Sequence, residues 1–336
     1  MLLAGLAACG GLTPNAKANK PLANTALLRL AAMGSTPGAA MMIRIFKQSS
    51  ELEVWKQVSS GKFELFQTYE ICAWSGELGP KIKEGDRQAP EGFYTVTPAL
   101  LNPNSSYYLS FNTGFPNKFD RAYGRTGSDL MVHGDCSSSG CYSMTDESIA
   151  EIYALARESF KGGNAGFQLQ IFPFRMTPRN LAGESASPHL AFWNNIKEGY
   201  DRFELTRRPP VWDVCNRQYV FDVTGPSGMP LNAAAACPQL SGDPTMIAAL
   251  AKKQALDDSV FVTEVASIAQ NEAKAAADAQ AAAEQAAALK ARGQAINGAV
   301  TGFFSGIFGA GETAGAQVVV DPTLAAPTPM PRIPRG

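Results

Sequence analysis

Two residues, His133 and Cys141, have the types and the spacing to do covalent chemistry. They lie in the stretch Met131-Val132-His133-Gly134-Asp135-Cys136-Ser137-Ser138-Ser139-Gly140-Cys141-Tyr142-Ser143-Met144-Thr145. A short apolar run delivers the imidazole, and a loop of small residues leads to the thiol. A thiol attacks carbonyl carbon as its thiolate, which it becomes near neutral pH only with a base or a cation nearby, and imidazole is the usual base. The chain has two histidines, so the placement of one shortly before a Gly-Cys pair carries information. Cys141 is read as a nucleophile and His133 as its base. The same residues fit two other chemistries. Cys136 could bridge Cys141 in a disulfide, and His133, Cys136 and Cys141 are donors that zinc prefers. Paired CxxC knuckles are absent, however, and a fourth ligand would have to come from afar.

Ser138-Ser139-Gly140-Cys141 resembles the Ser-His-Gly-Cys signature of the YkuD-type L,D-transpeptidase family, in which a base histidine lies upstream. Ser139 replaces the inner histidine, and the distance from base to cysteine is shorter than in most members. Both departures resemble a YafK-like branch that reads His-Gly-x-Cys and then Gly-Cys-Tyr-x-Met-Thr. Gly79-Pro80-Lys81, Gly85-Asp86 and Pro90-Glu91-Gly92-Phe93-Tyr94 upstream resemble the same branch, as does Ile171-Phe172-Pro173-Phe174-Arg175-Met176-Thr177 downstream. The resemblance covers roughly residues 40 to 225.

The resemblance implies a mainly β fold with flanking helices, built on a YkuD-type mixed sheet, and a role in cell wall biogenesis and cell shape. It implies that the Cys141 thiolate attacks an amide of a peptidoglycan peptide stem, on the L,D bond that follows a diaminopimelate. A thioester then forms and is resolved by an amine or by water, with no cofactor and no metal. His133 would take the thiol proton and return it to the leaving amine. Backbone N–H groups of Gly140 and Cys141 would be the oxyanion donors, with Ser139 shaping the turn. Many members carry an arginine just after the cysteine, where this chain has Tyr142-Ser143. Arg175 and Arg125 are therefore the candidates for pairing substrate carboxylates. Tyr142, Tyr94 and Phe174 are expected to line the core or the groove wall, Asp135 is a candidate to orient His133, and His189 is expected at a helix start without a catalytic part. Cys136 is expected to pack near the nucleophile, or to act as a resolving thiol that silences Cys141 through a disulfide. Partners expected from the branch are peptidoglycan stems and wall-linked lipoprotein. The rival from another class is a non-catalytic module that anchors to peptidoglycan.

The elements that position the pair follow from periodicity. Met41 to Phe46 and Glu51 to Trp55 flank a polar turn as a hairpin, and Phe63 to Ile71 alternates as a third strand. Trp74 to Gln88 is rich in glycine and charge and reads as an exposed loop. Gly92 to Val96 and Ser106 to Phe111 are short strands, and Leu130 to Val132 is the strand that carries His133. Thr145 is a natural N-cap for a helix running to about Phe160 and stopped by Gly162-Gly163. Phe167 to Phe172 returns to the sheet, and Leu190 to Tyr200 is a second helix.

The flanks read differently. The formal charge of −1 gives no reason to expect nucleic acid. Leu6-Ala7-Ala8-Cys9 has the form of a lipobox within residues 1–9, with Cys9 as the lipidated residue that ties an exported chain to a membrane, in the periplasm or envelope. It lacks a basic n-region and its apolar core is short, as an upstream start codon would explain. Residues 10–38 read as linker, 39–225 as the catalytic domain and 226–243 as a loop flanked by Cys215 and Cys237, a reasonable disulfide in an oxidising compartment. Residues 244–292 are alanine-rich and favour one long, solvated helix. Residues 293–336 form a small-residue-rich apolar segment, in which Gly298, Gly302 and Gly306 would allow close helix approach in a membrane, and a proline-rich tail.

Overall fold

The computed structural model describes residues 14–137 and 141–308. The strands are β1 (Met41–Phe46), β2 (Glu51–Gln57), β3 (Phe63–Glu70), β4 (Ala73–Trp74), β5 (Gly92–Val96), β6 (Leu101–Asn102), β7 (Ser110–Asn112), β8 (Met131–His133), β9 (Tyr142–Ser143), β10 (Phe167–Phe172), β11 (Trp212–Cys215), β12 (Gln218–Phe221), β13 (Val223–Thr224) and β14 (Ser241–Gly242). The helices are α1 (Pro14–Ala18), α2 (Asn24–Ala32), α3 (Lys118–Ala122), α4 (Asp146–Lys161), α5 (Pro178–Gly183), α6 (Leu190–Thr206) and α7 (Pro244–Phe308).

Two mixed sheets carry the architecture. One has the order β3-β2-β1-β10-β5 and the other β4-β9-β8-β7-β6, so the strand bearing His133 is central in the second. Each sheet holds one parallel pair, β1 with β10 and β8 with β9, and the remaining pairs are antiparallel. The sheet class expected from the sequence is the one observed.

Side chains alternate across a strand, and the first sheet is buried on both sides, one face apolar and the other aromatic around the buried Arg44, Glu53, Lys56 and Gln170. Ile43, Ile45, Tyr94, Leu169 and Ile171 face a core shared with Val132 and Tyr142 of the second sheet and with Ile149, Ile152 and Leu155 of α4. Phe46, Phe93 and Phe172 face a second core completed by Trp193, Ile196 and Tyr200 of α6 and by Tyr219 and Phe221 of β12. α4 lies behind the second sheet because Ile149, Ile152, Tyr153 and Ala156 recur at helical spacing on its buried side.

The segment read as linker is part of the fold. Ala18, Leu22, Ala26 and Leu30 are buried in the first core, because α2 presents apolar residues four apart toward it. At the other end Cys215 and Cys237 are joined by a disulfide, which pins the loop beyond β12 to the β11–β12 hairpin. α7 runs to Phe308, past the limit at residue 292 expected from its composition. It contains no proline after Pro244, and isolated glycines lower helix stability by only about 1 kcal/mol each.

The chain divides into two compact units, residues 1–264 and 265–336. In the first, α7 begins against α6, where Lys197 pairs with Asp201 and Asp257. In the second, the described residues continue the helix, with Leu289, Ile296, Val300, Phe303, Phe304 and Ile307 exposed. Among the described residues, no helix is long and apolar enough to cross a membrane. The lipobox cysteine Cys9 and the proline-rich tail lie outside the described residues.

Candidate active site

The parallel pairing of β8 with β9 brings the two site residues together. Val132 is opposite Tyr142 and His133 opposite Ser143, so Cys141, one residue before β9, falls opposite Met131. The Met131 N–H donates to Cys141 Sγ at 3.5 Å, in keeping with that register. Residues two apart on a strand share a face, so His133 and Cys141 project from the same side of the sheet, diagonally across one strand gap.

His133 is fixed on two sides. Its Nδ1 lies 2.6 Å from the carbonyl oxygen of Gly134. A carbonyl can only accept, so Nδ1 carries the hydrogen and Nε2 keeps the lone pair that a base needs. The Tyr107 ring packs on the imidazole with centroids 4.7 Å apart. Burial pushes the imidazole below its ordinary value, and the Gly134 carbonyl and the Asp135 carboxylate only partly oppose this. His133 is therefore neutral near pH 7 and able to accept a proton.

Cys141 is half-buried, and its Sγ–H donates to the Asp129 carbonyl oxygen at 3.6 Å. Burial pushes the thiol above its ordinary value; the Met131 N–H and the Lys81 ammonium pull it down, and the Asp129 carboxylate pushes it up. At rest Cys141 is thus a thiol and His133, across one strand gap, a neutral imidazole, a combination that a base-assisted thiol nucleophile requires.

The loop between the pair is held from three directions. Gly134 accommodates no side chain, because a Cβ there would sit 2.5 Å from Asp146 Oδ1 and 3.0 Å from the Tyr107 carbonyl oxygen. Asp135 and Cys136 then turn with φ of 68° and 40°. The Cys136 N–H donates to the Met144 carbonyl at 3.2 Å. The third tie is covalent, a disulfide between Cys136 and Cys72 with Cα atoms 5.1 Å apart.

That bond corrects three expectations. Cys136 is neither a packing residue nor a thiol waiting for Cys141. A zinc site on His133, Cys136 and Cys141 would need a thiolate that Cys136 has already committed to Cys72. The physical cause is the bend after β3: the Cys72 N–H donates to the Ser143 carbonyl at 2.9 Å and so sets Cys72 beside the active-site loop.

The other candidates are placed as follows. Arg175 pairs with Glu51 and Glu53, both at 2.8 Å, and lies over the Phe46 ring, so it belongs to the first sheet. Arg125 is buried against Asp120 at 2.9 Å and is stacked among Phe119, Tyr123 and Phe192. Both guanidinium groups are engaged by local carboxylates and rings, which ties them to the fold. Tyr142 is fully buried and donates to the Pro90 carbonyl at 2.8 Å, so it is a core residue and not a substrate contact. Tyr94 and Phe174 are buried too. His189 precedes α6 and packs on Trp193. Asp135 acts on His133 through its charge, while Gly134 supplies the hydrogen bond. Ser139 and Gly140, read as oxyanion and turn residues, lie outside the described residues.

Two contributors were not legible as site residues: Tyr107, and Lys81 within the loop read as exposed. Lys81 is only 4% exposed. Its loop is organised by Asp86, which accepts the N–H groups of Ile82 and Lys83 at 2.9 Å and of Gln88 at 3.0 Å and pairs with Lys81. The Gly79-Pro80-Lys81 motif was the one available signal for it.

Comparison with known proteins bears on the whole arrangement. Residues 38–162 match the family model of the YkuD L,D-transpeptidase catalytic domain. The chain is 41% identical over 209 residues to the Escherichia coli (strain K12) protein named "Putative L,D-transpeptidase YafK", which covers 62% of this chain and 82% of the relative. Among solved structures, the helical cell shape determining protein Pgp2 of Campylobacter jejuni aligns with a TM-score of 0.32 and 21% identity, over 43% of this chain and 52% of that one. Bd1075 of Bdellovibrio bacteriovorus aligns with a TM-score of 0.30 and 18% identity, over 42% and 51%. These alignments span about half the length of the solved chains. On the sequence match across most of its curated relative, this chain belongs to the YkuD L,D-transpeptidase family.

Proposed function

We propose that the protein is a cysteine acyl-transfer enzyme that acts on peptidoglycan peptide stems through a thioester on Cys141. The observation that carries this reading is the placement of Cys141 and His133 on one face of the second sheet, with Nδ1 of His133 bound to the Gly134 carbonyl. In the reaction, Nε2 takes the Sγ proton as sulfur bonds to the amide carbon of a stem. Backbone N–H groups of Gly140 and Cys141 hold the oxyanion. The C–N bond then breaks, and the imidazolium returns the proton to the leaving amine. An amine from a second stem resolves the thioester into a crosslink. Water resolves it into a free carboxyl, which makes the enzyme a hydrolase able to release stem- or lipoprotein-linked amides. Such a substrate places the protein in the cell envelope, exported and tethered by lipid if Cys9 is acylated.

The test uses the full chain, because α1 and α2 contribute to the core. The protein is mixed with muropeptides carrying tetrapeptide stems and with lipoprotein-linked stems, and products are followed by mass spectrometry beside C141A. New dimers or exchanged terminal residues that vanish in C141A establish a transpeptidase. Shortened or released stems without dimers establish the hydrolase. No product from folded, reduced-thiol protein overturns the enzyme reading in favour of a non-catalytic peptidoglycan-anchoring module.

A further inference from the structure

We propose that Lys81 is a positioning residue for Cys141: its buried ammonium, locked by Asp86 behind the 127–129 segment, stabilises the sulfur in its anionic form. The placement rests on packing. Gly127 lies against the lysine stem, where a Cβ would come within 2.5 Å of Lys81 Cε and 3.2 Å of the Phe115 ring. With φ of +146°, Gly127 also adopts backbone that side-chain-bearing residues avoid. Two residues later the Asp129 carbonyl accepts the Cys141 thiol. One short strip of backbone therefore contacts Lys81 at one end and the nucleophilic sulfur at the other.

The cation is held in place. Lys81 Nζ donates to the Lys83 carbonyl at 2.9 Å and pairs with Asp86. Burial alone would raise the Asp86 carboxyl, but hydrogen bonds from Lys81 and from three backbone N–H groups outweigh it and bring it down to about 2. Asp86 therefore stays ionised across the working pH range and keeps the ammonium where it is. A buried cation acts through a lower effective dielectric than a surface lysine would.

Charged and titratable groups around the sulfur include Asp129 beside it, Lys81 with its partner Asp86 beyond that segment and His133 on the neighbouring strand, while Tyr142, the next residue, turns its phenol to the Pro90 carbonyl in the core. Glu84 flanks Lys81, with a carboxylate oxygen 3.6 Å from the Cβ position of Gly127. Among these groups the Lys81 charge is one that favours the thiolate. It offsets the Asp129 carboxylate, which would otherwise oppose ionisation.

The consequence for catalysis rests on Cys141 being the nucleophile, but the effect on the sulfur can be read without substrate. The experiment is the pH dependence of Cys141 alkylation by iodoacetamide, followed by mass spectrometry on the full chain, for wild type, K81M, K81Q and K81R. Gln keeps a hydrogen-bond donor for Asp86 without the charge, so K81Q serves if K81M unfolds. Thermal unfolding identifies which neutral variant is read. The expected result is an alkylation inflection raised by about one pH unit in the neutral variants, hence about tenfold slower alkylation at pH 7, with K81R close to wild type. A folded neutral variant whose profile superimposes on wild type overturns the proposal, as does a K81R profile equal to that of K81M. A shifted inflection in a protein that turns over no muropeptide would leave the positioning role standing and defeat the enzyme reading.

Discussion

The carboxylate of Asp146, in the first turn of α4, accepts the backbone N–H of Asp135 at 3.0 Å. It therefore ties the loop that follows His133 to a helix start capped by Thr145, whose side chain accepts the Ser148 N–H at 3.2 Å. An acidic group there also favours the positive end of the helix dipole. Asp146→Ala should lower kcat/KM about tenfold, a loss of ~1.4 kcal/mol in transition-state stabilisation, while Asp146→Asn, which keeps an acceptor oxygen, retains most activity. Steady-state kinetics on both variants checks this, and equal losses in the two would show that the tie does not position the base.

As the proposed base His133 works as the neutral imidazole, and burial sets its value below the ordinary 6.5. Activity should therefore persist below pH 6.5 and fall only as the pH drops through the lower value of the folded protein. Tyr107 supplies part of that burial by covering the ring. Tyr107→Ala should move the acid limb of kcat/KM up in pH toward 6.5, and Tyr107→Phe should leave it in place. An acid limb unmoved in Tyr107→Ala would remove the phenol ring from the account.

The disulfide between Cys72 and Cys136 closes a loop with a sequence separation of 64. Chain-entropy reasoning gives such a closure about 4 kcal/mol of stability. C72A/C136A should unfold at lower denaturant concentration by a matching amount. It should also acylate more slowly at Cys141, since Cys136 lies in the loop that joins base to nucleophile. Denaturant titration together with single-turnover acylation separates the two effects, and a double variant with wild-type acylation would confine the bond to stability.

Lys56 is fully buried, with its ammonium on the carbonyls of Pro37 and Ala39, and burial lowers it to about 8. The unfolded chain holds this proton up to about pH 10.5, whereas the folded one holds it up to about 8. Between those values unfolding takes up a proton, so this residue's contribution to stability rises with pH; it falls by ~3 kcal/mol as the pH drops from 10.5 to 8 and is flat below. Lys56→Met should remove this slope. Urea unfolding of both proteins at pH 7.5, 9 and 10 reads the difference, and parallel curves would refute it.

Much of the fold was legible because its signals are local. Met41 to Phe46 and Glu51 to Gln57 pair as a hairpin, with Met41 opposite Lys56, because two extended apolar runs flank a short polar turn. α4 starts after Thr145 because a hydroxyl there can accept a helix N–H. The loop from Trp74 to Gln88 is exposed from Ile82 to Gly85, as expected, but it buries Gly79, Pro80 and Lys81 for the complementary reason. Its glycines and charges look solvated one by one, yet Lys81 and Asp86 satisfy each other and the backbone once folded.

The sequence by itself pointed to His133 and Cys141 as the candidate reactive pair, because these two residues combine a base and a thiol in one small-residue loop within a family-like frame. Tertiary structure decided the rest of the site. It gave Cys136 to Cys72 rather than to Cys141, placed Arg175 on Glu51 and Glu53 and Arg125 on Asp120, and set Tyr107 on the imidazole. Each of these depends on which residue meets which once the sheets have packed, and spacing along a chain records neighbours in sequence, not those that burial of the core brings together.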